Sequence, residues 1–465
     1  MKKKVFFAAA FFALMTVGVY AQTEADFDTT TGAGGKSIVI TKYKGKATAV
    51  IIPATIKGLP VTGIGLMAFQ KNKSITSVTI PDSVTSIGGE AFYECTNLVS
   101  VNIPHGVTEI DSATFYGCAK LTDITIPDSV TYIRNYAFFG CTKLTDITIP
   151  NGVTQIMNGA FLTCAGLTSV TIGNSVTDIR DAAFASCTSL TAINVNTANT
   201  AYSSDNGVLY NKSKTILVAY PGGKTGAFTI PNSVTEIESR AFWGCTGITG
   251  VTIPDSVTII GWEAFNRCTK LTGVTISNRV TMISSGTFLE CTSLTSITIP
   301  NSVTSIDRIA FYDCKNLADV TIPDSVTDID SSSFENTAWY NKQPNGVVYA
   351  GKFAYAYKGT MPANTRITLL DGTKAIARSA FVNCTGLTGI TIPDSVISIG
   401  NYAFNYCKNL TSVTFAGTIP SSGFSEEAFE YGSSLRGKFY ETDKVNGTPG
   451  TYTRPNVNSN VWTKK

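Results

Sequence analysis

The sequence contains a single histidine, His105, among 465 residues. Serine and cysteine hydrolases rely on a histidine base, so such a catalytic site in this chain would have to use that residue. His105 lies in a predicted turn, where most equivalent positions carry Asp or Asn. The eleven cysteines include no CxxC pair and have no partner histidine for a zinc site. We therefore expect no catalytic residue, no metal and no cofactor.

Strong net charge and long apolar runs are also lacking. The formal net charge is +3, and Lys2, Lys3 and Lys4 account for it, so the rest of the chain is close to neutral. Nucleic-acid binding depends on clustered Lys and Arg, so no nucleic-acid partner is expected. After residue 21 no stretch approaches the ~18 to 20 apolar residues that span a bilayer. No transmembrane segment is predicted in the mature chain.

Residues 1–21 have the order of a secretory signal peptide. A cationic start is followed by an apolar middle rich in Phe and Ala, and then by Val19, Tyr20 and Ala21 before Gln22. We expect cleavage after about Ala21 and export of the mature chain. The predicted location is secreted or cell surface, with the periplasm left open.

The rest of the chain repeats itself every 23 residues. The unit reads LxxVxIPxxVxxIxxxAFxxC, with Val and Ile interchanging, and fourteen copies can be aligned on one phenylalanine. These are Phe69, Phe92, Phe115, Phe138, Phe161, Phe184, Phe242, Phe265, Phe288, Phe311, Phe334, Phe381, Phe404 and a looser copy at Phe429. A period of this length predicts a solenoid.

Each unit carries its own signals for local structure. In one copy Ile124 and Ile126 flank Thr125, which predicts a short strand with one face buried, and Pro127 ends it. A turn and a second short extended piece follow, and then one helical or 3₁₀ turn over residues 135–141. One coil buries too little apolar surface to offset its loss of conformational entropy, so stacking of coils is obligatory.

The pattern in ITSVTIPDSVTSIGGEAFYEC, residues 75–95, resembles the 23-residue leucine-rich repeats of the BspA-like class. The resemblance covers residues 46 to about 436 and is specific for architecture. It implies an α/β leucine-rich repeat solenoid in a secreted or surface protein of anaerobic bacteria or spirochaetes. It also implies adhesion to host matrix proteins and to other bacteria.

The 23-residue spacing lapses twice, near residues 196–227 and 338–366. Both stretches contain Asn-Gly followed by Val-Leu-Tyr or Val-Val-Tyr, which predicts a β-hairpin insertion in each. We expect residues 22–60 to form an N-terminal β cap, residues 61–438 the solenoid with its insertions, and residues 439–465 a C-terminal segment that closes the other end.

All eleven cysteines occupy one position of the repeat. Three interpretations stand: buried reduced thiols, disulfides between neighbouring coils, and a metal site. Asn72 and Thr337 take the same position in other coils. A small buried position explains these substitutions, so we favour buried thiols.

Two groups of residues are candidates for partner binding. On the exposed strand face, a row of threonines that includes Thr125 and Thr148 is joined by Asp123, Asp146 and Asp319. On the insertions and beside the repeat phenylalanines, aromatic side chains are candidate anchors because such residues dominate binding hot spots. The aromatic candidates are Tyr210, Tyr220, Trp243 and Tyr349.

These features favour a non-catalytic binding protein that engages a protein or glycoprotein ligand, as an adhesin for host matrix or bacterial surfaces. The alternative is a structural envelope scaffold that associates with itself. An enzyme is the least favoured reading, and it would have to use a carboxylate pair such as Asp123 and Asp146.

Overall fold

The computed structural model describes residues 22–430 and 433–465, so the predicted signal peptide lies outside the described residues. The chain winds into a solenoid of about sixteen turns, slightly more than the fourteen copies aligned on phenylalanine. Tyrosine takes the place of the repeat phenylalanine at three further positions. The N–H groups of Tyr43, Tyr220 and Tyr357 each donate to the carbonyl of the alanine that precedes the next repeat phenylalanine, at 2.8, 2.8 and 2.9 Å.

Each regular coil contributes to two parallel ladders. The first ladder contains the Val-x-Ile strand of the repeat, in which Ile124 and Ile126 are buried and Thr125 is exposed. Its strands are Ala49–Ile51, Ser77–Thr79, Ser100–Val101, Asp146–Ile149, Ser169–Ile172, Ala192–Val195, Gly226–Thr229, Ile248–Thr252, Gly273–Thr275, Ser296–Thr298, Asp319–Thr321, Thr365–Thr368, Leu387–Ile392 and Ser412–Phe415.

The second ladder contains the short extended piece that follows the turn of each coil. Its strands are Ile38–Tyr43, Leu59–Ile64, Ser86–Ile87, Glu109–Ile110, Tyr132–Ile133, Gln155–Ile156, Asp178–Ile179, Ile216–Ala219, Glu236–Ile237, Ile259–Ile260, Met282–Ile283, Ser305–Ile306, Asp328–Ile329, Phe353–Lys358, Ala375–Ile376 and Ser398–Ile399.

The remaining elements lie at the ends and insertions. The other strands are Phe27–Thr31, Thr55–Ile56, Tyr202–Asp205, Val208–Asn211, Gly346–Ala350, Gly450–Thr453 and Thr463–Lys464. Within residues 22–430 and 433–465, two short α-helices span Ala338–Asn341 and Leu435–Phe439, and two 3₁₀ turns span Glu24–Asp26 and Ala33–Gly35.

The segment before each cysteine consists of hydrogen-bonded turns, where the sequence predicted a helical or 3₁₀ turn. In residues 135–141 the backbone of Tyr136 and Gly140 has positive φ, 56° and 69°. A positive φ flips the peptide, so alternate N–H groups point out of the coil. Phe138 N–H, for example, donates to the Ala160 carbonyl of the next coil at 2.8 Å. A helix would keep these bonds within one coil, whereas the turns use them to join coils.

The repeat phenylalanines stack into a spine. Neighbouring rings lie 4.7 to 5.6 Å apart between centroids, within the range for stacked aromatic pairs. The buried residues form two clusters, one running from Phe27 to Leu209 and the other from Val208 to Trp462. The division therefore falls within one strand, Val208–Asn211, whose alternate side chains enter different clusters.

Both insertions are β-hairpins, as predicted, and both join the second ladder. In the first, Val208–Asn211 pairs with Tyr202–Asp205 and with Ile216–Ala219, which in turn pairs in parallel with Glu236–Ile237. In the second, Gly346–Ala350 pairs with Phe353–Lys358, which pairs in parallel with Ala375–Ile376.

Each end of the solenoid is covered by the chain itself. At the first strand of the first ladder, the Gln22 side chain accepts from the N–H of Ile51 and donates to the Ala49 carbonyl. At the other end, Gly450–Thr453 pairs antiparallel with Ser412–Phe415. The domain boundaries given by the sequence stay predictions.

Candidate binding surface

The predicted strand face is present in the first ladder, and its threonines are exposed. Thr148 pairs in register with Thr171, and Thr171 with Asn194, so these polar side chains form a row across neighbouring coils. Thr125 is exposed on the preceding coil. The row offers hydroxyl and amide groups without aromatic residues, which is a surface for many weak polar contacts.

Asp146 is held at the edge of this row. Its Oδ1 accepts hydrogen bonds from Ser169 Oγ at 2.7 Å and Thr168 Oγ1 at 3.2 Å. The bond from Ser169 is the main reason that the pKa of Asp146 lies below its ordinary value. The carboxylate is therefore charged at neutral pH and oriented toward the coil that follows it.

Asp123 lies on the other side of an interruption in the first ladder. It forms one isolated bridge, to Ser100, and regular pairing resumes only with Asp146–Ile149. Asp146 uses its bonds toward the following coil, on the side away from Asp123. Asp319 is exposed and pairs with Ser296 in a different part of the ladder.

Two adjoining depressions lie at this interruption, and the sequence did not predict them. Their volumes are about 470 and 600 Å³, the first lined by Asp123 and the second by Asp146. They share His105, Ile124, Thr125 and Pro127. His105 thus lies at the rim of the strand face beside the predicted aspartates, where it can donate or accept a hydrogen bond.

Asn102 lines the first of these depressions and stands where most coils have threonine. Its Oδ1 accepts from the Ile80 N–H at 2.7 Å, and its Nδ2 donates to the Ile80 carbonyl at 2.8 Å. The side-chain amide therefore takes the place of backbone pairing beyond Val101, where the strand Ser100–Val101 ends. An asparagine at this position does not by itself predict an opening, since Asn194 occupies it within a regular strand pair.

Tyr210 and Tyr220 are not exposed, which corrects their prediction as anchors. They are 2% and 6% exposed, respectively. The Tyr220 ring stacks on Phe242 with centroids 4.8 Å apart. Both side chains fill the core where the insertion replaces a regular coil, and neither can act as a contact point in this structure.

Trp243 and Tyr349 are half-buried. The Arg240 guanidinium lies 4.9 Å from the Trp243 ring centroid, and the Tyr349 hydroxyl accepts from the Leu370 N–H at 3.0 Å. Each therefore has a local structural role and only a partly free surface. The sequence reasoning missed Trp262, which is 39% exposed and has Arg240 3.7 Å from its ring centroid.

The cysteines are free and buried. Ten of the eleven donate Sγ–H to the carbonyl of an aromatic residue of the preceding coil, as Cys118 does to Phe92 at 3.1 Å. Burial raises the pKa of these thiols, to about 12 for Cys187. A buried protonated thiol is a weak nucleophile and a poor metal ligand. Within the described residues no group of three or more potential ligands is placed to hold a metal ion.

None of the helices in the described residues has the length and apolar character needed to cross a membrane. The fold and the surface define a leucine-rich repeat protein with a polar strand face.

The family model described as "BspA type Leucine rich repeat region" matches residues 62–191, 219–340 and 353–443 in six copies. The chain belongs to this family. The sequence-based resemblance is therefore confirmed.

Two solved structures illustrate the relationship. A leucine-rich cell surface protein from Faecalibacterium prausnitzii is 36% identical, with 69% of this chain and 93% of that chain covered and a TM-score of 0.56. A leucine-rich repeat protein from Eubacterium ventriosum is 24% identical, with 79% and 89% covered and a TM-score of 0.50, and it supports the fold alone. No curated protein matches the chain significantly.

Proposed function

We propose that this chain is an exported, non-catalytic binding protein, an adhesin that attaches to host extracellular-matrix proteins or to other bacterial cells. The observation that carries the proposal is the exposed row of threonines and asparagines on the first ladder, flanked by charged carboxylates. Such a face is extended and repetitive, so a large partner can contact several coils at once. The Faecalibacterium relative, described as a cell surface protein, supports the proposed location.

The surface between Asp123 and Thr171 is the proposed centre of binding. It combines the two depressions, the carboxylates of Asp123 and Asp146, and the paired Thr148 and Thr171. Fixed carboxylates on a rigid scaffold select partners by charge complementarity. We therefore expect a protein or glycoprotein partner that presents basic and hydrogen-bonding groups to this face.

Equilibrium binding of residues 22–465 to immobilised fibronectin, fibrinogen, laminin, collagen and whole bacterial cells tests the proposal. We expect saturable binding to at least one of them, competed by soluble ligand. A variant with Thr148→Arg and Thr171→Arg adds two large cations to the strand face and should weaken binding at least tenfold. Ser86→Arg adds one such cation to an exposed position of the second ladder and should leave binding unchanged.

Flat curves for a folded sample on every surface would overturn the proposal. Concentration-dependent assembly without a foreign ligand would instead support the self-associating scaffold. Equal loss of binding in the strand-face variant and in Ser86→Arg would remove the strand face from the proposal.

A further inference from the structure

The second ladder is open at the second insertion. The ladder that ends with Asp328–Ile329 does not pair with Phe353–Lys358, which begins the next group of strands. The coils rejoin at one bridge, between Asp330 and Arg378, where Arg378 N–H donates to the Ile329 carbonyl at 2.9 Å. A groove of about 290 Å³ remains on the open side. This is just below the volume of about 300 to 1,000 Å³ that is usual for small-molecule sites.

The floor and walls of this groove are mainly apolar. Its apolar lining residues are Pro323, Val326, Phe353, Ala375 and Ile397. Phe353 is 3% exposed and closes the inner end, whereas Ile397 is 51% exposed at the rim. An exposed isoleucine beside a preformed apolar cavity favours an apolar ligand group, because burying both removes apolar surface from water.

The groove coincides with a change in the repeat. Preceding coils carry threonine at the start of the second strand, where its hydroxyl donates to the coil before, as Thr327 Oγ1 does to the Thr304 carbonyl at 3.3 Å. The two coils after the insertion carry Lys374 and Ile397 at this position instead. The replacement of two threonines by one cation and one apolar residue gives this surface a chemistry that the neighbouring coils lack.

The charge at the rim is positive. Lys352 and Lys374 both line the groove, and Lys352 forms an ion pair with Asp324 at 2.5 Å. Lys374 is exposed and has no ion-pair partner among the described residues. Arg378 belongs to an adjoining depression, where Asp307 and Asp328 hold it at 2.9 and 3.1 Å. Lys374 is therefore the free cation of this groove.

We infer that this groove binds a small amphiphilic carboxylate, with the aliphatic or aromatic tail between Val326 and Ile397 and the carboxylate at Lys374. A charge-assisted bond from an ammonium to a carboxylate is stronger than a neutral one and fixes the orientation of the ligand. The site is distinct from the proposed adhesive face, since it lies on the second ladder at the second insertion. A negative result for one of the two proposals therefore leaves the other unaffected.

Titration calorimetry of residues 22–465 with sodium octanoate tests the inference, with octanol and octylammonium as matched neutral and cationic probes. We expect saturable binding of octanoate, weaker binding of octanol and none of octylammonium. Lys374→Thr restores the residue of the regular coils and should weaken octanoate binding about tenfold. Ile397→Thr, which also restores that residue, should weaken octanoate and octanol alike.

Two further variants fix the location of the site. Asp324→Asn releases Lys352 from its ion pair and should tighten octanoate binding severalfold. Lys143→Thr removes an exposed lysine far from the groove and should change nothing. The absence of saturable octanoate binding to folded protein would overturn the inference, as would equal affinity for octanoate and octylammonium. Binding that survives both Lys374→Thr and Ile397→Thr would also overturn it.

Discussion

The two insertions have similar sequences and join the same ladder, but their contacts with the preceding coil differ. In the first, the hydroxyl of Tyr202 accepts from the Ile179 N–H at 2.9 Å, so a side chain takes the place of the missing strand. In the second, no side-chain oxygen among the described residues accepts from the equivalent N–H of Ile329. The tyrosines of the second insertion accept hydrogen bonds from other backbone groups. The hydroxyl of Tyr355, for example, accepts from the Phe334 N–H at 2.8 Å.

This difference has consequences for the surface. The cleft at the first insertion holds only about 20 Å³, whereas the groove at the second holds about 290 Å³. The first insertion is thus closed and divides the core into two clusters, while the core continues through the second. A tyrosine hydroxyl takes the place of the missing strand at the first interruption, and the opening there is smaller than at the second.

The largest expected effect concerns the divided core. Leu209→Ala should lower the free energy of unfolding by about 2 to 5 kcal/mol, because Leu209 is fully buried in the N-terminal cluster. Hydrogen exchange should accelerate mainly between residues 22 and 209. Tyr210→Ala is the matched variant and should accelerate exchange mainly after residue 210. Equal acceleration on both sides in both variants would show that the core acts as one unit.

The role of Tyr202 can be tested by removing one oxygen. Tyr202→Phe leaves the Ile179 N–H without its acceptor and should cost about 1 to 3 kcal/mol in denaturant unfolding. Tyr349→Phe removes the hydroxyl that accepts from the N–H of Leu370 in the second insertion. Leu370 is exposed, so its N–H can donate to water instead, and the loss of unfolding free energy should be smaller than for Tyr202→Phe. A larger loss for Tyr349→Phe would contradict the comparison.

A pH effect on stability is expected at the cleft of the first insertion. The pKa of Glu238 is raised to about 7, chiefly by burial and also by the negative charges of Glu236, Asp181 and Asp178, while Arg180 opposes the shift. Because the folded-state pKa exceeds the ordinary value of 4.5, this group's contribution to stability is full below pH 4.5 and is lost as the pH rises through 7.

Glu238→Gln should remove this dependence. Unfolding measured between pH 5 and 8 should show the wild type losing about 1 kcal/mol relative to the variant as the pH rises, after allowance for solvent screening. Parallel curves for wild type and variant would contradict the prediction.

The smallest effect is expected at the tip of the first hairpin. Lys214 pairs with Asp205 at 2.7 Å, and both side chains are nearly half exposed. Lys214→Ala should change the unfolding free energy by less than about 0.5 kcal/mol. In the second hairpin Lys358 donates to the carbonyls of Tyr340, Asn341 and Gln343 at 3.0, 2.8 and 2.6 Å. Lys358→Met should therefore cost more, about 1 kcal/mol, and the reverse order would contradict this assignment.

Much of the architecture could be predicted because the repeat is strict. The 23-residue spacing, the alternation around Thr125 and the Asn-Gly turns indicated the solenoid, the strand face and both hairpins. The segment before each cysteine forms hydrogen-bonded turns where the sequence predicted a helical turn. Alternate N–H groups there reach acceptors in the next coil only because residues such as Tyr136 adopt positive φ. That choice depends on a neighbouring coil, which local sequence signals do not contain.

The binding surface was less predictable than the fold. The exposure of Thr125, Thr148 and Asp146 follows from strand alternation, and the structure agrees with it. The burial of Tyr210 and Tyr220 does not follow from local sequence, because an aromatic residue of an insertion can face solvent or replace a repeat phenylalanine. Which of these occurs depends on where the hairpin packs.

The sequence by itself determined the class of fold, the repeat family and the faces of each regular coil, because a 23-residue period with fixed apolar positions allows one way of stacking. Only the tertiary structure decided where the ladders open, which tyrosines fill the gaps and how the core divides. The interruption beside Asp123 lies among regular coils, whereas the filled joint and the open groove lie at the two insertions, where the period fails. At the insertions each side chain responds to a neighbour brought close by folding, as the Tyr202 hydroxyl does by accepting from the Ile179 N–H.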